Sequence, residues 1–198
     1  MTWPTPVTLR GERVTVEPLR HDHHDGLVES ARDGELWNLW YTVVPTPQTM
    51  RAEIDRRLAL QVAGSMVPFV IVANATQRVV GATSYMNIDA ESRRVEIGHT
   101  WYAASAQRTG INTETKRLLL AHAFEELDCI AVEFRTHYFN RASRTAIERL
   151  GAKLDGILRN HRRGADGSLR DTCVYSIVAG EWPAVRAHLD FELHRARG

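Results

Sequence analysis

A chain of 198 residues, 43% hydrophobic and 25% charged, is long enough for one compact domain with a sizeable core and short for two. Its formal net charge of +1 and isoelectric point near 7.9 give no electrostatic drive towards a polyanion, so nucleic acid is not an expected partner. Cys129 and Cys173 are too few for a disulfide scaffold and lack zinc-type spacing, the start MTWPTPVTLRGERV has no apolar stretch behind a basic one, and no run approaches the ~18 apolar residues of a membrane span. The expectation is a cytoplasmic protein with reduced core thiols, no metal and no membrane partner.

In chain order, RVTVEPL (13–19) alternates polar and apolar residues as a half-buried strand does, after a turn at 10–12. HDHHDGLVESARD (21–33) begins like a helix, and its His and Asp residues read as a solvated, charge-complemented helix start rather than a metal set. After Pro45 and Pro47, the four-residue steps Met50, Ile54, Leu58 and Val62 predict an amphipathic helix ending at Gly64. VPFVIVAN (67–74) reads as a strand, and 75–102 as a turn and two meander strands joined near 90–93.

The loop QRTGIN (107–112) hands the second meander strand to a helix over 113–127, whose Leu118, Leu119, Ala121, His122, Phe124 and Leu127 form a broad apolar face. His122 on that face is expected to be a satisfied core histidine. A strand (130–139) follows, then a short helix in 140–152 with Asn140 placed to cap it and Gly151 just past its end. Two closing strands, 153–163 and 169–179, are joined by the turn GADGS, and the tail reads as a helix with a charged, frayed end. Strands paired as a meander and then interleaved with helices predict a mixed α/β (α+β) sheet, one domain over 1–198 with its core at about 9–189 and a tail at 190–198.

A glycine-bearing loop ahead of a helix presents unpaired backbone N–H groups and the positive end of the helix dipole, which suits a phosphate or pyrophosphate. Gly110 lets the backbone approach a ligand closely, and Asn112 or Thr113 can cap the helix. Many helices begin this way and bind nothing, so the loop alone leaves the matter open.

Its neighbours carry more. VEIGHTWY (95–102), QRTGINTETKRLLLAHAFEEL (107–127), VEFRTHYFNRASRTAIERLGAKLDGILRNHRR (132–163) and DGSLRDTCVYSIVAGEWPAV (166–185), in that order, resemble the GNAT superfamily of N-acetyltransferases. Within it they most resemble the ribosomal-protein N-terminal alanine acetyltransferases of RimJ/RimL type. The resemblance runs from about Leu9 to Leu189 and implies a strongly twisted sheet of about seven strands flanked by helices, with a splay between two parallel strands that holds acetyl-CoA.

The family's loop pattern is Gln or Arg, two residues, Gly, one residue, then Gly or Ala. Gln107 and Gly110 match it and Asn112 departs from it, so the resemblance implies a pyrophosphate cradle made by Gln107, Arg108, Thr109, Gly110, Ile111, Asn112 and Thr113. It also implies that a backbone N–H of Thr100, Trp101 or Tyr102 donates to the thioester oxygen. Glu96 becomes the general base, acting through water, where position alone leaves it equally a strand-face carboxylate paired with Arg93 or Arg94. Asn140 and Ser143 match an Asn-x-x-Ser pattern in which Asn orders the pantetheine arm and Ser protonates the leaving thiolate, although the spacing alone favours a plain cap and first-turn serine. Trp37, Trp40 and Tyr41 would border the acceptor, or else belong to the core. Cys129, at a helix-to-strand junction, is expected to be structural because the family transfers the acyl group directly.

The implied reaction is direct acetyl transfer from acetyl-CoA to a primary amine, with the N-terminal α-amine of a ribosomal or other protein first, and a small amine or amino acid as the alternative. An α-amine of pKa near 7.7–8.0 is roughly a tenth or more neutral at pH 7, whereas a lysine near 10.4 is neutral to well under about 0.1%, so an α-amine needs little help from a base. A non-catalytic acyl-CoA-binding module is the rival, and the joint presence of Glu96, Asn140 and Ser143 argues against it. Family habit makes a homodimer possible.

Overall fold

The run Met66–Ala73 is apolar on both faces, as a strand covered on two sides must be. In the computed structural model, which describes residues 3–164 and 167–195, it is β3 of an eight-stranded sheet. The strands are β1 (Leu9–Arg10), β2 (Val14–Pro18), β3, β4 (Arg78–Asp89), β5 (Arg94–Tyr102), β6 (Ala131–His137), β7 (Lys153–Arg163) and β8 (Leu169–Val178). Their order is β1-β2-β3-β4-β5-β6-β8-β7, and every neighbouring pair is antiparallel except β5 and β6. The strand beyond the expected seven is the two-residue edge strand β1, too short to leave an alternation signal.

Five helices cover the sheet: α1 (His24–Arg32), α2 (Met50–Val62), α3 (Ile111–Ala121), α4 (Arg141–Glu148) and α5 (Trp182–His194). On one face, Leu27 of α1 and Met50 and Ile54 of α2 pack with Val70, Ala82 and Trp101. On the other, Leu119 and Leu120 of α3 and Val185 and Leu189 of α5 pack with Phe69, Tyr85, Val132 and Tyr175. Alternate residues of β3, Phe69 and Val70, thus serve the two cores, which is why its sequence shows no polar face.

The helix expected at 113–127 is α3 followed by a five-residue π-helical turn, His122–Glu126. The Tyr85 hydroxyl donates to the Leu119 carbonyl at 2.6 Å and lies 3.2 Å from Nδ1 of His122, which is buried by Tyr85 as a core histidine. In α2 the structure departs from the four-residue pattern: Met50 and Ile54 are buried, but Val62 is 86% exposed and Arg57 takes a buried place. Steps of four advance about 40° beyond a whole turn each time, so after three steps the side chain has left the core face. Residues 165 and 166 of the turn expected at 164–168, and residues 196–198 of the tail expected at 190–198, lie outside the described residues. No helix among the described residues is long and apolar enough to cross a membrane.

Candidate functional site

β5 and β6 run parallel but pair only at Arg94–Glu96 with Ala131–Glu133. Beyond that point β5 continues to Tyr102 and β6 to His137 without pairing to each other, so the sheet opens into a splay between its two parallel strands. Two irregularities in the β4–β5 ladder fall at this place, one with its extra residue on β5 near His99 (φ 50°), between Ala82 and Ser84, and one with its extra residue on β4 at Asn87 (φ 45°), between Met86 and Asp89.

Glu96 stands at the apex of the splay and is 5% exposed. The Asn87 amide donates to its Oε2 at 2.6 Å, and Arg135 Nε lies 3.5 Å from the same oxygen. Burial pushes the carboxyl above its ordinary value, against the Asn87 hydrogen bond and the Arg135 charge. Gly98 makes the room, since a Cβ there would sit 2.6 Å from the Met86 sulfur and 2.9 Å from Glu96 Oε1. Pairing of Glu96 with Arg93 or Arg94 does not occur: Arg94 reaches Glu133, and Arg93 lies over the Trp3 ring. A strand alternates its faces, and only the parallel register sets Glu96 beside Glu133 and Arg135.

The loop 107–113 sits at the mouth of the splay. Gly110 caps α3 with φ 94°, a conformation that favours glycine, and the first helical bond runs from Glu114 N–H to the Gly110 carbonyl. The N–H groups of Ile111, Asn112 and Thr113 therefore precede the helical ladder and lie at the positive end of the helix. Gln107 ties the loop back to β5 through its amide and the Tyr102 carbonyl at 3.2 Å, and Thr109 Oγ1 donates to the Ala106 carbonyl at 2.6 Å. Arg108, exposed, has φ 63°. A cavity of about 360 Å³ opens beside this helix start, between Asn112 and Thr113 on one side and Gly151 and His188 on the other. An anionic ligand fits such a cradle through backbone groups alone.

The side chains of Thr100, Trp101 and Tyr102 are engaged in the fold, Thr100 through the Lys116 ammonium, which donates to its Oγ1 at 2.7 Å. The Trp101 side chain is buried in the core beneath α1 and α2, and the Tyr102 hydroxyl is buried beside Thr115 of α3. Asn140 caps α4, its Oδ1 accepting the Ser143 N–H at 3.0 Å, which leaves the Asn140 amide nitrogen and the half-buried Ser143 hydroxyl for other work. Trp40 is 69% exposed and meets His137 and Phe139 edge-on or tilted, with ring centroids 5.1 and 6.0 Å apart, while Tyr41 packs against Trp40. Trp37 instead packs against the core under α1 and α2. Of the three aromatics, Trp40 and Tyr41 stand at the end of β6 and Trp37 serves the core. Burial pushes the Cys129 thiol up to about 11, the wrong direction for a nucleophile. His21 and His24 are each drawn to a neighbouring aspartate, and His23 is buried.

Sequence reasoning missed three features. Asn87 is set by a bulge, which leaves no pattern in the chain. Lys116 of α3 is 5% exposed and donates to Thr100 Oγ1 at 2.7 Å, with Thr83 Oγ1 at 3.4 Å; burial, with no carboxylate partner among the described residues, lowers its pKa to about 7. Its helical spacing from Leu119 and Leu120 was the available sign that it faces the sheet. Arg135 on β6 is the third.

A parallel splay at the centre of a mixed sheet, a glycine-capped helix start at its mouth and a buried carboxylate at its apex define an acyltransferase fold. Residues 13–153 match the family described as the acetyltransferase (GNAT) domain, and the chain belongs to that family. It is an acyltransferase of the N-acetyltransferase class. Over 102 residues, 52% of this chain and 55% of the relative, it is 34% identical to YdaF of Bacillus subtilis (strain 168), a protein named as a ribosomal N-acetyltransferase. An acetyltransferase structure from T. thermophilus superposes with a TM-score of 0.84 at 34% identity, covering 97% of this chain and 100% of that one. Mycobacterium smegmatis RimJ, solved with CoA-disulfide, shares the fold at 23% identity with a TM-score of 0.79, covering 99% and 98%.

Proposed function

We propose that this protein transfers the acetyl group of acetyl-CoA directly to a primary amine, the N-terminal α-amine of a protein, with ribosomal proteins as the first candidates. The observation that carries the reading is the buried, incompletely paired Glu96 at the apex of the β5–β6 splay. Acetyl-CoA supplies the activated acyl group. The N–H groups of residues 110–113 hold its pyrophosphate, and Asn140 orders the pantetheine arm. A β5 N–H freed by the splay, in 100–102, polarises the thioester carbonyl. Glu96, with its raised pKa, accepts a proton from the amine through water as the C–N bond forms. The Ser143 hydroxyl hydrogen-bonds the departing sulfur and passes it a proton that it regains from water, while the proton taken by Glu96 returns to water. The name of YdaF, a ribosomal N-acetyltransferase, supports a ribosomal acceptor.

The test is CoA-thiol release with acetyl-CoA over three acceptor sets: peptides with free Ala or Ser N-termini, the same peptides N-blocked but bearing lysine, and free amino acids and polyamines. Turnover confined to free N-termini supports the proposal. Turnover on small amines alone moves the protein to metabolism or detoxification, and binding of acetyl-CoA without turnover makes it a binding module.

A further inference from the structure

Around Glu96 the charges do not balance. Arg94 and Arg135 both reach Glu133, with Arg135 Nη2 2.9 Å from its carboxylate, so that pair of guanidiniums is met by Glu133 and Glu96. Arg162 and Arg170 face each other across the β7–β8 ladder, and neither has a carboxylate within ion-pair distance among the described residues. The nearest acid on that hairpin, Asp171, is held by Arg159 at 2.6 Å. Arg170 is the more telling of the two, because its Nε is buried without a hydrogen-bond partner, and a buried guanidinium N–H is ordinarily satisfied.

The hairpin carries these arginines towards the site. Between the pairs Leu158↔Thr172 and Arg162↔Arg170, β7 advances four residues while β8 advances two, with Asn160 at φ 49° in the bulge. Such a bulge bends the ladder and turns its end out of the sheet plane. Arg162 bears on the ionisation of Glu96 and His99, Arg170 on that of His137, and the Glu96 charge in turn favours the charged form of Arg170. His137 is also the ring against which Trp40 packs. Arg170 stands two residues along β8 from Thr172, the partner of His137, on the same side of the strand, so the pair of guanidiniums lies towards the end of β6 that carries the exposed Trp40.

We infer that Arg162 and Arg170 form a carboxylate-binding subsite, so that the acceptor is an amine carrying a carboxylate close to the reacting nitrogen. Planar guanidiniums match carboxylates in paired, charge-assisted hydrogen bonds, and a carboxylate there satisfies the Arg170 Nε. For a peptide this is an acidic side chain just after the N-terminus; for a free amino acid it is the α-carboxylate. The inference rests on the amine-acceptor reading above.

Two matched pairs of acceptors separate these sources: C-terminally amidated Ser-Glu-Glu-Ala-Ala against Ser-Gln-Gln-Ala-Ala, and alanine against alaninamide. CoA-thiol release gives kcat/KM for each, and calorimetry gives its Kd for the CoA-saturated protein, in the wild type, R162Q/R170Q and R162K/R170K. The acidic member of at least one pair is expected to be favoured by roughly tenfold in kcat/KM and in Kd. The preference should fall below about threefold in R162Q/R170Q and return in part in the lysine variant, which also stands in if the glutamine variant fails to fold. Equal use of charged and neutral acceptors by the wild type, or a preference that survives R162Q/R170Q, overturns the subsite while amine transfer stands. No turnover with the binding preference intact overturns amine transfer while the subsite stands.

Discussion

Glu96 and Glu114 are buried almost equally, at 5% and 6% exposure, and their surroundings are opposite. Glu114, on the first turn of α3, accepts the backbone N–H groups of Glu12, Arg13 and Val14 at 3.1, 2.7 and 2.9 Å, and so clamps the turn before β2 to the cradle helix. Its oxygens are used up by the fold. Glu96 receives one amide N–H and a guanidinium at the edge of hydrogen-bonding distance, and burial raises its pKa. Burial alone therefore does not single out a carboxylate for chemistry; the unspent lone pairs of Glu96 do.

The sharpest break between them is Glu96→Gln, which is expected to lower kcat/KM by about 10²–10⁴-fold while leaving the melting temperature unchanged or higher, since a buried charge is replaced by an amide of the same shape. Wild-type kcat/KM should rise as pH passes through the raised Glu96 pKa, and that acid limb should be missing from the variant. Glu114→Ala reverses the pattern, losing about 3 kcal/mol in urea unfolding because backbone N–H groups are left unpaired, while the folded fraction stays active.

A third buried charge sharpens the contrast. Lys116 has a folded pKa of about 7 against an ordinary value of 10.5, so between these values the unfolded chain binds a proton the folded one lacks, and stability rises with pH across that window. The urea stability of the wild type relative to Lys116→Met should increase by about 3 kcal/mol from pH 7 to pH 9.5. Smaller effects belong to the cofactor side. Ser143→Ala should lower kcat by about 10–100-fold, since a thiol of pKa near 8.5 leaves readily, and a rise in KM with kcat unchanged would show that Ser143 only binds. Gly110→Val, at φ 94°, should raise KM for acetyl-CoA by roughly tenfold with kcat nearly kept, measured by steady-state kinetics.

The chain by itself determined the element order, the capping of α4 by Asn140, the glycine at the start of α3 and the family resemblance, because periodicity, caps and turn residues act over a few neighbours and are written in adjacent letters. It also placed Glu96 on a strand but left its partner open between Arg93, Arg94 and none. Only the tertiary structure set Asn87 and Arg135 on that carboxylate, filled Glu114 with backbone donors 100 to 102 residues away, buried Lys116 against Thr100 and set Arg162 opposite Arg170. Those outcomes depend on strand register, on two bulges in the β4–β5 ladder and on one in β7, where a shift of a single residue turns a side chain to the other face; no local pattern in the sequence encodes which register the assembled sheet adopts.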